Sequence, residues 1–517
     1  MRIAINIKYN KGFKWTENGS VFFKGFLVYN GKYIKEEQVI DILNKCSGFD
    51  GIKDLIKSAD GLFVLIIKKE TGVLLATDRV RTFPLFYTID DGITITDDPY
   101  SLPGKTADET SAGEFLLTGH TTGSNTLYKE VNQTKASEIL IINDDGKNSE
   151  LYYTHKTTVV VQENLDVLIR QFKDILYTSF KDFIRTLDNR PVALSLSGGY
   201  DSRLIALMLN QFGYNNVVCF TYGRKESNEI ENSRKTAEIL EYPWFFIEYN
   251  TEMAKDYLDT DIFREYVSFA GKLSSMPFLQ DYFAIKHIKE NGLVDHNSIF
   301  ITGHSGDFIA GSHLKGKFRK SDKPLKAIRE IFNSYYNLSI LPGKSEFLKI
   351  LENEIATDDF LAYSVFEDWV LMERQAKYII NSACVYDFFG YQYRMPLFDA
   401  RILSFFKHVP PEYKNFKLLY DIVLKQFFSQ PDLNFENELQ ASKKEILIQN
   451  VKNRVKKYIP AFIIKKYADN RPWNAYDILT APMSDELKGT RFENQVSANY
   501  NSVICNWYVK QLLHRNH

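Results

Sequence analysis

Residues 197–202 read Ser-Gly-Gly-Tyr-Asp-Ser and separate two apolar stretches of the chain. The stretch before them predicts a strand, and the stretch after them predicts a helix. The amino terminus of a helix carries partial positive charge, and glycines let an anion approach the backbone N–H groups closely. The pattern therefore predicts a phosphate-binding loop. Gly198 and Gly199 supply the space, and the hydroxyls of Ser197 and Ser202 supply further donors.

The same loop also contains a carboxylate, Asp201. A carboxylate beside phosphates makes chemical sense if it binds Mg²⁺, which bridges the phosphate oxygens of a nucleotide. The alternative interpretation is a strand-to-helix turn in which small polar residues cap the helix. A Walker loop is excluded, since the Gly-Lys-Ser at 343–345 has Leu338 where that motif needs its first glycine. Without such a lysine, transfer of a γ-phosphoryl group is the less natural chemistry.

Two segments resemble the nucleotide loops of known enzymes. The loop at 197–202 resembles the pyrophosphatase loop of enzymes that cleave ATP between its α and β phosphates, which implies adenylation of a substrate. The segment NSIFITGHSGDFIAGSH at 297–313 resembles the second nucleotide loop of asparagine synthetases. That resemblance implies that Thr302 and Gly303 contact the nucleotide and that Asp307 is the second Mg²⁺ carboxylate.

His304 stands where asparagine synthetases have a catalytic glutamate. An imidazole with a pKa near ~6.5 takes a proton from an attacking amine, so His304 is the candidate general base. A competing interpretation is that residues 303–307 nearly match the Gly-x-Ser-x-Gly elbow of α/β hydrolases, with Ser305 as nucleophile. It leaves the loop at 197–202 unexplained, and the side chain of Asp307 would crowd the strained turn of such an elbow.

The resemblance to asparagine synthetases continues on both sides of these loops. Arg-Met-Pro-Leu-Phe-Asp at 394–399 resembles a family segment and also fits a packed turn. The resemblance implies that Lys417 approaches the pyrophosphate, and that Lys443 or Lys444 stabilises the charge that builds up during adenylation. Lys444 is favoured because a glutamate follows it. Glu229 corresponds to an acidic residue of the family's nucleotide site, and a surface charge explains it equally well.

The amino-terminal region resembles a glutaminase without its nucleophile. Residues 59–87 are similar to the glutamine-hydrolysing domain of asparagine synthetases, which uses an amino-terminal cysteine as nucleophile and base. In this chain position 2 is Arg2, and the nearest cysteine is Cys46. Arg81 and Thr82 also replace the usual glycine stretch. We therefore expect a domain that retains the fold and does not hydrolyse glutamine.

The elements that must position these residues follow from the hydrophobic pattern. Short β-branched and aromatic runs between turns fill roughly the first 155 residues. Further along, strands and helices alternate, which indicates a parallel sheet whose ligands bind at the carboxyl ends of its strands. We expect an α/β protein whose residues 1–160 form an Ntn-type αββα sandwich, a degenerate glutamine amidotransferase. Residues 161–517 are expected to form a pyrophosphatase-loop, Rossmann-like domain with a largely helical carboxyl-terminal part.

Composition and charge restrict the partners. Lys plus Arg is 64 against 65 for Asp plus Glu, so no global field attracts nucleic acid. The apolar run at 62–67 is too short to span a membrane, and MRIAINIKYN lacks the apolar core of a signal peptide. The four cysteines are scattered, which indicates neither disulfides nor a zinc site. Residues 451–467 hold six Lys or Arg and no acid, which fits a solvated helix pair or contact with a membrane surface. We expect a cytoplasmic protein, and a homodimer is left open.

Together these features predict an ATP- and Mg²⁺-dependent ligase that adenylates a small-molecule carboxylate and joins it to ammonia or a small amine. The chain resembles the asparagine synthetase-like proteins of bacterial surface-polysaccharide gene clusters, which implies a uronic acid or sugar nucleotide as substrate in capsule or O-antigen synthesis. The alternative reaction is intramolecular amide formation, as in β-lactam synthetases and lasso-peptide cyclases. An alternative of another class is a non-catalytic scaffold, against which the retention of both Asp201 and Asp307 argues.

Overall fold

The computed structural model describes residues 2–429 and 471–514. Within these residues the chain is a mixed α/β protein with three β-sheets. Two of the sheets are built from residues 3–151, and the third is built from residues 192–394. The strand-rich first part and the later alternation of strands and helices are therefore confirmed.

The amino-terminal sheets are mostly antiparallel. Their strands are β1 (Ile3–Asn6), β2 (Trp15–Glu17), β3 (Val21–Tyr29), β4 (Lys32–Ile34), β5 (Asp60–Lys69), β6 (Gly72–Thr77), β7 (Phe86–Asp90), β8 (Gly92–Thr96), β9 (Asn132–Gln133), β10 (Glu138–Asn143) and β11 (Gly146–Leu151). The larger sheet has the order β11-β10-β6-β5-β3-β2, with β4 paired to β3. The smaller sheet has the order β1-β8-β7-β9, in which β1 and β8 are parallel.

Layers form because successive residues of a strand point to opposite faces of the sheet. On β5, Val64 belongs to the buried cluster that contains Ile95 of the smaller sheet. Its neighbour Leu65 belongs to a second cluster, which contains Val39 of helix α1 (Glu36–Lys45) and Ile52 of helix α2 (Gly48–Ser58). The larger sheet is thus covered by two helices on one face and by the smaller sheet on the other.

The third sheet is parallel throughout and has the order β14-β13-β12-β15-β16. Its strands are β12 (Val192–Ser195), β13 (Val217–Gly223), β14 (Trp244–Glu248), β15 (Ile299–Ile301) and β16 (Gln392–Arg394). Both faces of the central strands are buried, which explains why they read as continuous apolar runs. The carboxyl ends of β12 and β15 lie side by side, so the loops that follow them meet at one edge of the sheet.

Helices surround this sheet and fill most of the chain that follows. The α-helices of the described residues after α2 are α3 (Glu109–Thr118), α4 (Leu165–Arg185), α5 (Tyr200–Gln211), α6 (Asn228–Ile239), α7 (Asp261–Gly271), α8 (Tyr282–Asn291), α9 (Gly306–Ile309), α10 (Leu325–Tyr335), α11 (Glu346–Glu354), α12 (Ala362–Trp369), α13 (Cys384–Phe388), α14 (Ala400–His408), α15 (Pro411–Lys414), α16 (Leu418–Phe428), α17 (Tyr476–Leu479), α18 (Ala481–Leu487) and α19 (Tyr500–His514). A π-helical segment, Val370–Ile379, and a 3₁₀ turn, Ile380–Ala383, connect α12 to α13.

The two halves share a buried junction. Arg394, at the end of β16, is 1% exposed, and its guanidinium lies 4.1 Å from the ring centroid of Phe26 in the amino-terminal half. One of its amino groups donates to the carbonyl of Thr186. Asp387 accepts a hydrogen bond from the backbone N–H of Phe13 and pairs with Lys24. The segment at 394–399 therefore packs the halves together, as a packed turn would.

The sequence-based predictions about the cysteines and about membrane spans can be compared with the structure. All four cysteines are free thiols. Across residues 2–429 and 471–514, every helix is too short or too polar to cross a bilayer. The basic stretch at 451–467 lies outside the described residues.

Candidate active site

The loop at 197–202 joins β12 to α5 and is held by its own hydroxyls. The backbone N–H of Ser197 donates to the hydroxyl of Ser202 over 3.1 Å, and the N–H of Gly199 donates to the hydroxyl of Ser197 over 3.2 Å. A Cβ at Gly198 would lie 3.1 Å from the Cα of Glu229, on helix α6. Gly198 is thus needed for the close packing of the loop against α6, a role that the sequence pattern did not predict.

Asp201 and Asp307 lie together at this edge of the sheet. The backbone N–H of Asp307, in the first turn of α9, donates to Oδ2 of Asp201 over 3.0 Å. Burial, followed by the charge of Asp307, raises the pKa of Asp201 to about 6. Two carboxylates this close repel each other, and a divalent cation between them would relieve that repulsion. The pair therefore fits a Mg²⁺ site that is completed by phosphate oxygens.

Tyr420 is a member of the site that sequence reasoning missed. Its hydroxyl donates to Oδ1 of Asp201 over 2.7 Å, and burial with the nearby carboxylate raises its pKa above the usual value. Gly306 leaves space for this contact, because a Cβ there would lie 2.6 Å from the Tyr420 hydroxyl and 2.9 Å from Cγ of Asp201. Tyr420 follows Lys417 by three residues, and that spacing was the one available signal.

His304 lies beside the pair and is partly buried. One ring nitrogen, Nδ1, is 2.5 Å from the hydroxyl of Thr302, and the other, Nε2, is 3.0 Å from the hydroxyl of Ser382. Burial lowers the pKa of His304 to about 4. The expected pKa near ~6.5 is therefore wrong, because that value assumes a solvated imidazole. The ring is neutral at pH 7 and is a weaker base than an exposed histidine.

Ser305 does not line the cavity that His304 lines. Its backbone has φ of 68°, in the left-handed region, and its hydroxyl donates to the side chain of Gln375 over 2.6 Å. The hydroxyl is therefore engaged with an amide, and His304 is engaged with Thr302 and Ser382. This arrangement gives the hydrolase interpretation no nucleophile–base pair.

A cavity of about 530 Å³ opens at the same edge of the sheet, which is within the usual size of a small-molecule site. The predicted site residues that line it are Ser197, Gly199, Asp201, Ser202, Glu229, Thr302, Gly303, His304, Asp307 and Lys417. The lining also includes residues from helical and loop segments, namely Phe278, Gln280, Asp281, Ile379, Ser382, Tyr386 and Trp473. Residues from the two predicted loops thus face a single cavity.

Of the remaining predicted residues, Lys417 and Glu229 belong to the described part of the chain. Lys417 has φ of 61° just before α16, and its ammonium pairs with Asp421 at 3.2 Å. The pKa of Glu229 is raised by burial, so this carboxylate is not an ordinary surface charge. Lys443 and Lys444 lie outside the described residues. The role predicted for these two lysines stays a prediction.

In the amino-terminal half, the described residues Cys46 and Arg81 do not form a site like the one around Asp201. Cys46 follows α1 directly, and its thiol donates to the carbonyl of Ile42 in that helix. Arg81 is buried, and its guanidinium donates to the carbonyl of Thr134 and contacts the side chain of Gln133. Arg81 therefore has a packing role in place of the glycine stretch.

The chain is similar to a protein family and to individual known proteins. The family model described as asparagine synthase matches residues 171–445, which is more than half of the chain. The Microcin J25-processing protein McjC of Escherichia coli is 23% identical over 310 residues, which cover 58% of this chain and 55% of McjC. The 7-cyano-7-deazaguanine synthase of Caldicellulosiruptor saccharolyticus is 27% identical over 108 residues, which cover 21% of this chain and 43% of that enzyme. The chain thus spans about half the length of the curated relatives it matches.

Solved structures match more weakly. The NH3-dependent NAD synthetase from Campylobacter jejuni has a TM-score of 0.19 and 16% identity, covering 31% of this chain and 62% of that chain. The glutamine phosphoribosylpyrophosphate amidotransferase from B. subtilis has a TM-score of 0.18 and 14% identity, covering 58% of this chain and 59% of that chain. TM-scores this low carry no argument about the fold.

Proposed function

The chain belongs to the asparagine synthase family, and from this premise we propose that it is an ATP-dependent carbon–nitrogen ligase. It adenylates a substrate carboxylate and then transfers an amine or ammonia to the activated acyl group. The observation that carries this proposal is the cavity shared by Asp201, Asp307 and the loop at 197–202. This combination fits a nucleotide whose phosphates lie over the amino terminus of α5.

Asp201 and Asp307 are the residues that would hold Mg²⁺. When bound, Mg²⁺ neutralises charge on the ATP phosphates and favours departure of pyrophosphate. Tyr420 orients the Asp201 carboxylate through its hydrogen bond to Oδ1. The backbone of the loop and the hydroxyls of Ser197 and Ser202 are suited to bind phosphate oxygens, because they stand at the amino terminus of a helix.

The reaction has two steps. In the first, a carboxylate oxygen of the substrate attacks the α-phosphorus of ATP, and pyrophosphate leaves with the electron pair of the broken bond. Lys417, and Lys443 or Lys444, supply positive charge for this step. In the second, the amine nitrogen attacks the acyl carbon, AMP leaves, and the nitrogen loses a proton. His304 is neutral at pH 7 and accepts that proton in the proposed role, with the modest basicity that its burial leaves.

The preferred substrate is a uronic acid, free or within a sugar nucleotide, that is amidated in bacterial surface-polysaccharide synthesis. The size of the cavity supports a small-molecule carboxylate. In the same proposal, residues 1–160 form a degenerate, glutaminase-like Ntn domain, and residues 161–517 form the ATP-pyrophosphatase domain. The nitrogen then comes from free ammonia or a small amine in the cytoplasm, because the amino-terminal half does not supply it from glutamine.

Trapping of the activated acyl group tests this function. The purified protein is incubated with ATP, Mg²⁺, hydroxylamine and a panel of D-glucuronate, D-galacturonate and UDP-glucuronate. We expect AMP, pyrophosphate and a hydroxamate with at least one acid, and loss of all three products in Asp307→Asn. An absence of AMP and hydroxamate throughout would contradict the ligase function and favour a non-catalytic scaffold.

A second candidate reaction is intramolecular amide formation. The similarity to a microcin J25-processing protein favours it, because a processing enzyme of this family would join an amine and a carboxylate of one substrate. A peptide that carries both groups would then lose the mass of one water on incubation with the protein and ATP. Mass spectrometry separates this outcome from amidation by added ammonia.

A further inference from the structure

Asp281 is a buried carboxylate in the cavity that the nucleotide loops do not use. It stands directly before helix α8, is 7% exposed and lines the same cavity as the loop at 197–202. Tyr222, in strand β13, donates its hydroxyl to Oδ1 of Asp281 over 2.5 Å. Tyr386, in helix α13, gives the carboxylate a second hydrogen bond. Within the described part of the chain, no lysine, arginine or histidine forms an ion pair with Asp281.

A buried carboxylate without a cation is costly, since phenol hydrogen bonds replace only part of its hydration. Burial accordingly raises the pKa of Asp281 to about 6. The group is still mostly ionised at pH 7, and it opens onto a cavity that a ligand can enter. A positively charged ligand group would compensate this charge, whereas an anionic one would be repelled.

The rings around Asp281 favour the same kind of ligand. The ring of Tyr222 stacks on Tyr249 at 5.3 Å and lies 5.9 Å from Trp473. Trp473, Phe278 and Tyr386 line the cavity beside the carboxylate. Aromatic faces attract ammonium groups, and a carboxylate next to such faces is a suitable site for a protonated amine.

Asp281 and the candidate base His304 are bonded to residues of one helical segment. Ser382 bonds to His304, and Tyr386, one helical turn further along the chain, bonds to Asp281. His304 and Asp281 are therefore held by neighbouring turns of the same helical segment. A ligand group bound at Asp281 would therefore lie in the cavity that the candidate base also lines.

We propose that Asp281, Tyr222 and Tyr386 form the subsite that binds the amine substrate as its ammonium ion. The bound ammonium gives one proton to solvent before its nitrogen attacks the acyl carbon, and the nitrogen gives a second proton to His304 as AMP leaves. This proposal rests on the proposed ligase function and adds the chemical class of its nitrogen donor, a cationic primary amine. The subsite is distinct from the pair Asp201 and Asp307, which is suited to a metal ion. Recognition of a ribose hydroxyl of ATP is the rival role for Asp281, and the experiments below separate the two.

Binding of ethylammonium, with ethanol as the neutral probe of similar size, tests the subsite without turnover. The dissociation constant is measured by ligand-observed NMR for the unaltered protein and for Asp281→Asn. We expect ethylammonium to bind the unaltered protein in preference to ethanol, and Asp281→Asn to weaken its binding at least about tenfold. Asn retains one acceptor for the two tyrosine hydroxyls, so we expect the variant to fold, which its melting temperature checks. Equal binding by both proteins would overturn the proposal.

Two further variants test whether weaker ethylammonium binding is specific to the loss of Asp281. Asp201→Asn removes a carboxylate from the metal pair and should change ethylammonium binding by less than about threefold. Asp91→Asn removes an exposed charge from a hairpin turn and should leave it unchanged. Loss of ethylammonium binding in Asp201→Asn would place the cation at the metal pair and overturn the proposal, whether or not Asp281→Asn folds.

Kinetics distinguish a failure of the subsite from a failure of the ligase function. In Asp281→Asn we expect the KM for the amine to rise at least about tenfold, with the KM for ATP and the carboxylate-dependent exchange of pyrophosphate unchanged. A higher KM for ATP with an unchanged KM for the amine would assign Asp281 to the nucleotide and overturn the proposal. Absence of exchange with every acid would count against the ligase function, while ethylammonium binding would still decide the subsite.

Discussion

Asp201→Asn should stabilise the ligand-free protein while it weakens binding of ATP with Mg²⁺. The pKa of Asp201 is raised from 3.8 to about 6, so the ionised form is disfavoured in the folded state by at most about 3 kcal/mol. This penalty is fully present above about pH 6 and disappears as the pH falls toward 3.8. Asn removes the charge but offers a single acceptor oxygen to the two donors, the Tyr420 hydroxyl and the Asp307 N–H, so it recovers part of this penalty at pH 7.

Calorimetry at pH 7 and pH 4.5, with and without ATP and Mg²⁺, measures this effect. We expect Asp201→Asn to raise the melting temperature of the ligand-free protein at pH 7 by up to about 3 °C, and by less at pH 4.5. ATP with Mg²⁺ should raise the melting temperature of the unaltered protein much more than that of the variant. Asp91→Asn is the matched surface control and should change stability by less than about 0.5 kcal/mol. A variant that melts at or below the unaltered protein at pH 7 would refute the reasoning.

Three further substitutions test the surroundings of Asp201. Gly306→Ala places a Cβ against the Tyr420 hydroxyl and the Asp201 carboxyl group, so pyrophosphate exchange should fall about 100-fold. Gly51→Ala adds a Cβ that makes only ordinary van der Waals contacts, and exchange should be kept. Tyr420→Phe removes the hydrogen bond that orients Asp201. The apparent affinity for Mg²⁺ in the exchange reaction should therefore fall about tenfold. An unchanged affinity would argue that Tyr420 has a purely structural role. His304→Ala should slow hydroxamate formation about 100-fold in single turnovers and leave pyrophosphate exchange nearly intact, and equal losses in both would remove its assignment as base.

The parts of the site that the sequence predicts are those fixed by local pattern and sheet topology. The loop at 197–202 follows β12 and the loop that begins at Thr302 follows β15, and parallel strands that pair end at the same edge of the sheet. This rule alone brings Asp201 and Asp307 together across 106 positions of sequence. The degenerate character of the amino-terminal half is likewise a matter of residue types at motif positions, and it stays a prediction.

The parts that escape prediction depend on tertiary packing. Tyr420 reaches Asp201 across 219 positions because helix α16 packs against α4 and α5, which no local pattern encodes. The low pKa of His304 arises from burial, and the residue type carries only the value for a solvated ring. Asp281 follows no motif, and its importance becomes visible only when two tyrosines from separate elements surround it.

The bond of ATP that is cleaved tests the central claim most directly. Exchange of labelled pyrophosphate into ATP is measured with the carboxylate that supports hydroxamate formation, for the unaltered protein and for Asp307→Asn. The account predicts carboxylate-dependent exchange that requires Asp307, with AMP as the nucleotide product. Formation of ADP and phosphate, or exchange that persists in Asp307→Asn, would contradict it.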